Sequence, residues 1–406
     1  MPQGYTESPT IYAAAVNRDL ADLHLLGNST LIQYADDLLL ASPTKDVCIK
    51  DTLFLLTHLA NKGHSASLSK MQYCQEHVQY LGHVLHNGTR QLSQGRITTL
   101  LSTTRPQTKK QIMSFLGMAN FCRQCIFEYR AMEAVLRKAT LNDKPVNIEW
   151  SEEINIAFES LQKASSTAPA LGLPDYSLPF HLFVSECNGH ANGILSQQHC
   201  SGKRPVAYYS TSLPPVVLGM PGCLRSVAAA AVMVEKSSPI VLDHDCTIYV
   251  PHAVKLLLNS AATQHFTNAR RTGYEVILLS KPNLHLKRSP PVNPATLMFD
   301  YYENDAYEHP CVETVEQYTS PRPDLKQTPL DNCDLILYTD GSSSRLTDTD
   351  YRSGYAVVTD FDIVESASLP PGTSAQLAEL YALTRALFWL KENLLLFTPT
   401  LDMLSA

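Results

Sequence analysis

Tyr34-Ala35-Asp36-Asp37 constrains the fold more than any other stretch of this chain. It lies between apolar Leu31-Ile32 and Leu38-Leu39-Leu40-Ala41, so the segment reads as two short strands joined by a tight hairpin turn. Such a turn holds both carboxylates at the edge of a sheet. Adjacent like charges are costly unless a cation neutralises them, which points to a divalent metal and to phosphoryl or nucleotidyl transfer. An isolated Asp-Asp pair is more often a solvated turn, because turns favour Asp. The surroundings decide between the two.

On the amino side, Pro2-Gln3-Gly4 and Ser8-Pro9-Thr10 lead into a helical pattern through Ile11, Ala14, Ala15, Asp19 and Leu20. On the other side stand Gln79-Tyr80-Leu81-Gly82-His83 and then His86-Asn87-Gly88, a second hairpin signal. Together these motifs resemble the palm of a retroviral reverse transcriptase. The resemblance implies a nucleotide pocket at Gln3, Gly4 and Tyr34, metal-binding catalytic aspartates at Asp36 and Asp37, and a primer grip at Tyr80, Leu81, Gly82 and His83. In that family the first catalytic aspartate and the triphosphate-holding fingers residues precede the Pro-Gln-Gly segment. A two-metal mechanism needs both ions fixed at once, so the resemblance implies impaired polymerase activity for this chain alone.

At 406 residues the chain has room for about two to four domains. With 17% charged and 44% hydrophobic residues it is an ordinary globular protein, not a disordered one. A net charge of −7 argues against nucleic-acid binding by the chain as a whole. Between Arg96 and Lys138, however, eight basic residues face only Glu128 and Glu133, enough local charge to contact phosphates. Lys109, Lys110 and Arg123 are the nucleic-acid-binding candidates. Charge alone fits a helical module with a solvated basic face equally well.

The ten cysteines show no regular spacing. The polar opening residues do not form a signal peptide, and no apolar run approaches the roughly 20 residues needed to span a bilayer. Val227–Val234 reads as a buried helix. The expectation is an intracellular protein with reduced thiols and no membrane partner. Cys122-x-x-Cys125 lies in a helical pattern (Ile112, Phe115, Leu116, Ala119, Cys122, Ile126) and reads as packing rather than a metal or redox site.

Four folded segments and a tether follow from the pattern, an α+β and α/β multidomain arrangement. Residues 1–88 read as the palm, helix–hairpin–helix–hairpin. Residues 89–150 are largely helical, and Phe115-Leu116-Gly117 with Phe121-Cys122-Arg123 resembles a retroviral thumb. Residues 151–297 begin with a helix capped by Ser151 and continue in alternating strands at Phe180–Val184, 193–197 and 205–210. This unit resembles the RNase H-like, inactive connection domain of gammaretrovirus-like reverse transcriptases, on Arg204-Pro205-Val206-Ala207-Tyr208, Pro221-x-Cys223-Leu224-Arg225, Pro251-His252-Ala253-Val254 and Asn293-Pro294-Ala295. Where an active enzyme opens its first strand with Asp, Ser185-Glu186-Cys187 stands, and Glu186 reads as a surface carboxylate. Residues 298–333 are acidic and proline-containing, a linker.

Residues 334–406 carry a second chemical signal. An apolar strand ends in Thr339-Asp340 and a Gly341-Ser342 turn, and Thr373–Leu383 forms an amphipathic helix with Glu379 one turn in. The pair resembles the start of retroviral RNase H, where this Asp and Glu share a metal ion. The resemblance implies catalytic, metal-binding roles for Asp340 and Glu379 and Mg²⁺, with Mn²⁺ as substitute. A third aspartate should follow about 21 residues after Glu379; Thr400 stands there and Asp402 two residues beyond.

The expectation is therefore a stretch of a retroviral Pol polyprotein of gammaretrovirus-like, endogenous type. It would be cut at both ends, acting on a template–primer duplex or RNA–DNA hybrid with impaired metal-dependent catalysis. A complementing Pol chain is the implied partner. The alternative is a non-catalytic nucleic-acid-binding remnant.

Overall fold

The structure, a computed structural model, describes residues 6–126, 128–142, 144–260, 266–289, 293–295, 309–320, 335–345, 351–370 and 372–394. The chain forms two compact units, residues 1–320 and 321–406.

The first unit opens with α1 (Ser8–Leu20), β1 (Thr30–Tyr34), β2 (Asp37–Ala41) and α2 (Lys45–Asn61). Thr44 caps α2 by accepting the Val47 N–H. Asp51, wholly buried on α2, accepts the N–H groups of Leu26 (3.0 Å) and Gly27 (3.2 Å), which fixes the approach to β1. Next come β3 (Val78–Tyr80), β4 (His83–His86) and β5 (Thr89–Leu92), an antiparallel meander. Leu81 and Gly82, then Asn87 and Gly88, take φ of +48°, +77°, +45° and +69°, the left-handed pairs that two-residue hairpin turns demand.

Four helices follow: α3 (Gln94–Ser102), α4 (Lys109–Phe121), α5 (Tyr129–Lys138) and α6 (Glu152–Ser166). Thr108 and Gln111 form a reciprocal capping box at the start of α4. Ile112, Phe115, Leu116, Ala119, Cys122 and Ile126 are all buried, as the periodicity predicts, and α6 adds Phe158 and Leu161 to the same core. Burial pushes the Cys122 thiol up to about 11 and the Cys125 thiol up as well, in keeping with packing rather than redox chemistry. The short strand β6 (Leu171–Gly172) then pairs with β5.

The remainder of this unit is built on a five-stranded sheet. Its elements are β7 (Phe180–Cys187), β8 (His190–His199), β9 (Gly202–Ser212), α7 (Pro215–Leu218), α8 (Gly222–Val241), β10 (Cys246–Val250), α9 (Val254–Leu258), α10 (Asn268–Leu279), β11 (Leu284–Arg288) and α11 (Cys311–Thr319). The strand order is β11-β10-β7-β8-β9, antiparallel from β7 to β9 and parallel from β7 through β10 to β11. Helix α8 is the buried helix expected around Val227–Val234, with Val227 through Ala231 and Met233 almost fully covered. Asn293 and Ala295 are also buried: Asn293 donates to the Val184 carbonyl (2.9 Å) and Ser185 to that of Ala295 (2.7 Å).

The second unit contains β12 (Tyr338–Arg345), β13 (Tyr351–Val358), β14 (Ile363–Leu369) and α12 (Ala375–Leu394), with the strands in an antiparallel meander. The expected Gly-Ser turn after Asp340 is absent: β12 runs through Gly341 and Ser342, which pair with Tyr355 and Gly354. Ladder hydrogen bonds with β13 outweigh the local turn preference of Gly-Ser. Among the described residues, no helix is long and apolar enough to cross a membrane.

Candidate metal and nucleic-acid sites

Tyr34 pairs with Asp37 across the first hairpin, so Ala35 and Asp36 form its two-residue turn. Ala35 takes φ of +51°, a conformation that costs a residue with a β carbon and sharpens the turn. Asp36 and Asp37 are exposed there, and Tyr34 is 62% exposed beside them. Gln3 and Gly4 lie outside the described residues.

The Leu81–Gly82 turn belongs to the same part of the molecule. Burial, then the charge of Asp37, raises the pKa of the Tyr80 hydroxyl, which is itself buried with no hydrogen-bond partner among the described residues. His83 stacks on Phe121 of α4 at 5.5 Å, and the Arg96 guanidinium lies 3.6 Å from the centre of the same ring. Burial, then Arg90, keeps His83 below the ordinary histidine value. A β carbon on Gly82 would meet Arg96 Nε at 2.1 Å, so glycine serves both the turn and this close approach. Arg90 ties the hairpin to its neighbours by donating to Gln124 Oε1 (3.1 Å) and the Val206 carbonyl (3.2 Å).

The basic stretch divides by role. Arg130 and Arg137 both bind the buried carboxylate of Glu133, and Arg96 lies over Phe121. Lys109 donates to the Leu141 carbonyl, and Arg105 lies over Trp150 and donates to Asn155. Lys110, Arg123 and Lys138 are exposed; Arg123 donates to Asn120 Oδ1 (3.0 Å), one turn back.

Glu186 is not the surface carboxylate its position suggests. Its side chain is 5% exposed, accepts Arg225 Nε at 2.9 Å and caps the β7–β8 turn by accepting the Gly189 N–H at 2.9 Å. The arginine 39 residues downstream comes from α8, and this distant partner neutralises the charge. Beside Glu186, Ser185 is buried and donates to the Ala295 carbonyl.

In the second unit, Asp340 pairs with Ala356 and is exposed, as is Glu379. Between them stands Gly341: a β carbon there would lie 2.1 Å from the Glu379 backbone nitrogen and 2.2 Å from the Ala378 carbonyl carbon. The strand segment of Asp340 and the first turns of α12 are therefore in direct backbone contact. Arg385 of α12 clamps Glu365 of β14 in a bidentate pair (2.8 and 2.8 Å), which holds the Glu365 carboxyl below its ordinary value. Asp402 lies outside the described residues.

One constellation escaped the sequence altogether. Cys223, His252, His309 and Cys311 meet in the first unit, although gaps of tens of residues separate three of them. No short spacing signal could have found it.

Residues 1–85 match the family described as reverse transcriptase (RNA-dependent DNA polymerase), and residues 150–248 match the RNase H-like domain found in reverse transcriptase. The chain is 43% identical over 388 residues to the Pol polyprotein of feline endogenous virus ECE1, covering 95% of this chain and 37% of that protein. It is 42% identical over 396 residues to the Gag-Pol polyprotein of avian reticuloendotheliosis virus, covering 97% and 34%. Against the Gag-Pol polyprotein of baboon endogenous virus (strain M7) it is 42% identical over 95% of this chain and 22% of that one. The chain thus spans about a fifth to two fifths of the length of these curated relatives.

Among solved structures, a foamy viral protease–reverse transcriptase in complex with RNA/DNA hybrid matches with TM-score 0.63 and 20% identity, over 97% of this chain and 51% of that one. A foamy viral protease–reverse transcriptase dRH in complex with double-stranded DNA matches with TM-score 0.64 and 20% identity, over 71% and 50%. At that identity the likeness is one of fold. With both matched domains in order and this similarity running through nearly its whole length, the chain belongs to the retroviral Pol family and carries its reverse transcriptase and RNase H-like domains.

Proposed function

We propose that this chain holds a template–primer duplex or an RNA–DNA hybrid. There it presents carboxylates to divalent metal, for RNA-directed DNA synthesis at Asp36 and Asp37 and for cutting the RNA strand at Asp340 and Glu379. The observation that carries the reading is the backbone contact at Gly341, which sets the strand of Asp340 against the helix of Glu379.

Both carboxylate pairs are exposed oxygen donors, the kind that Mg²⁺ and Mn²⁺ take. Bound metal would polarise a phosphoryl oxygen and activate the attacking hydroxyl or water. Each pair is part of a two-metal cage. The remaining ligands would come from outside the described residues, in the same polypeptide or in a complementing Pol chain. Tyr80 and His83 flank the Leu81–Gly82 turn, each with a buried polar atom lacking a partner among the described residues, and would grip the primer end. Gln3 and Gly4 with Tyr34 would border the nucleotide.

Lys110 and Arg123 would contact phosphates, while Lys109 serves mainly to tie α4 to Leu141. The 2′-hydroxyls mark the strand to be cut. The complexes of the foamy viral enzymes with hybrid and duplex support this ligand class. Work on such ligands implies an intracellular site of action.

Mn²⁺ titration followed by electron paramagnetic resonance tests the metal roles. Asp36→Asn with Asp37→Asn, and Asp340→Asn with Glu379→Gln, should each weaken one class of bound Mn²⁺ by about tenfold or more. Unchanged binding in both double variants would refute the assignment.

A further inference from the structure

Cys223 lies in the first turn of α8, His252 in the loop between β10 and α9, and His309 and Cys311 flank Pro310 at the start of α11. Their four donor atoms all lie within 4.8 Å of one another. Cys223 Sγ is 3.1 Å from His309 Nε2, and Cys311 Sγ is 3.7 Å from His252 Nδ1. The two imidazoles, 5.2 Å apart and tilted by 54°, are not stacked on each other. Cys223, His252 and Cys311 are buried, with exposures of 3%, 9% and 2%, while His309 forms the outer wall.

A buried thiol is commonly just a small apolar side chain. Cys246, equally buried, makes no such cluster among the described residues. Here two thiols and two imidazoles converge from three separate segments, each turning a donor atom toward the same point. We propose that Cys223, His252, His309 and Cys311 bind a structural zinc ion. Two sulfurs and two nitrogens are a donor set that favours tetrahedral zinc. With Zn–S near 2.3 Å and Zn–N near 2.0 Å, a tetrahedron spaces its ligand atoms roughly 3.3–3.8 Å apart. The observed spread closes to this by small side-chain rotations.

Supporting contacts fit the same role. The Ala253 N–H points at Cys311 Sγ from 3.5 Å, the outer hydrogen bond that a metal-bound thiolate takes. Both cysteines also stand in the first turns of helices, where the positive end of the helix dipole favours thiolate. Four protein ligands leave no open position, so the ion is structural rather than catalytic. It joins α11 to α8 and to the β10–α9 loop. Helix α11 has nine residues and only Cys311 and Val315 buried, so the metal supplies an anchor that its own packing does not. This zinc is separate from the carboxylate metals proposed above, and its test does not depend on them.

The full chain, purified under reducing conditions and dialysed against metal-free buffer, should retain about one zinc per chain by elemental analysis. Reconstitution with Co²⁺ should give the intense visible bands of a tetrahedral cobalt centre with thiolate ligands. His309→Ala changes the least buried ligand and is the variant that best preserves folding. It and Cys311→Ser should lower bound zinc by about tenfold or more, with folding checked by circular dichroism. Cys200→Ser, at an exposed thiol elsewhere, should leave it unchanged. Zinc near zero in the wild-type chain with no cobalt bands would overturn the proposal. So would full zinc retention in His309→Ala and Cys311→Ser, or a Cys223–Cys311 disulfide whose reduction restores no metal binding.

Discussion

The carboxylate of Glu133 lies 2.7 Å from the guanidinium of Arg130, with its own side chain only 7% exposed. Arg137, four residues on, binds the other oxygen. Two of the eight cations between Arg96 and Lys138 are thereby turned toward the protein, and the outward charge of this region falls to fewer residues than the sequence suggests.

This arrangement gives a stability prediction. Burial alone would raise the Glu133 pKa, but the hydrogen bonds from Arg137 and then Arg130 outweigh it and hold the carboxyl below its ordinary value. Its contribution is therefore present above the unfolded carboxylate value of about 4.5 and is lost as pH falls through the lower folded value. Glu133→Gln should cost about 2 kcal/mol at neutral pH, short of a fully buried pair because both arginines are partly exposed. Urea unfolding across a pH series checks this. The variant should also lose less stability than wild type on acidification.

The contact at Gly341 predicts a second effect. A methyl group there would collide with backbone rather than with a movable side chain, so α12 must shift off β12. Gly341→Ala should destabilise the second unit by about 3 kcal/mol and weaken Mn²⁺ binding at Asp340 and Glu379. Limited proteolysis together with thermal melting would show it. A variant as stable as wild type would mean the strand and helix are not in contact.

His83 supplies a pH dependence at the β3–β4 hairpin. Burial, then Arg90, lowers its pKa, so the unfolded chain takes up a proton more readily than the folded one. Stability from this group is complete above the unfolded value near 6.5 and falls as pH drops from there toward the folded value. His83→Phe, which keeps a ring on Phe121, should flatten the stability change between about pH 7.5 and pH 5.5. Denaturant midpoints at the two pH values measure it.

Much of this was legible in the sequence where local patterns are strong. The Asn87-Gly88 turn, the α4 stripe from Ile112 to Ala119 and the buried helix at Val227 need only nearby residues, and each formed as its pattern implies, whereas Cys122, Cys125 and Ile126 are buried in the turn after α4 and not in the helix their spacing suggests. Reading failed where a distant partner decides. Gly341 and Ser342 look like a turn until β13 pairs with them, and Glu186 looks solvated until Arg225 arrives from α8. Charge summation over Arg96–Lys138 could not foresee that Glu133 would hold two arginines. The Cys223, His252, His309 and Cys311 cluster is a product of tertiary folding alone.

The most direct test of the central claim is the salt dependence of binding to a fluorescently labelled RNA–DNA hybrid, read by anisotropy. Phosphate contacts release counterions, so log affinity should fall linearly with log salt. Lys110→Ala with Arg123→Ala should weaken binding and reduce the slope by about 2, one per lost phosphate contact. Arg130→Ala should change stability more than slope, because its guanidinium is committed to Glu133. Binding that ignores salt, or a slope unchanged in the Lys110 and Arg123 double variant, would contradict the account.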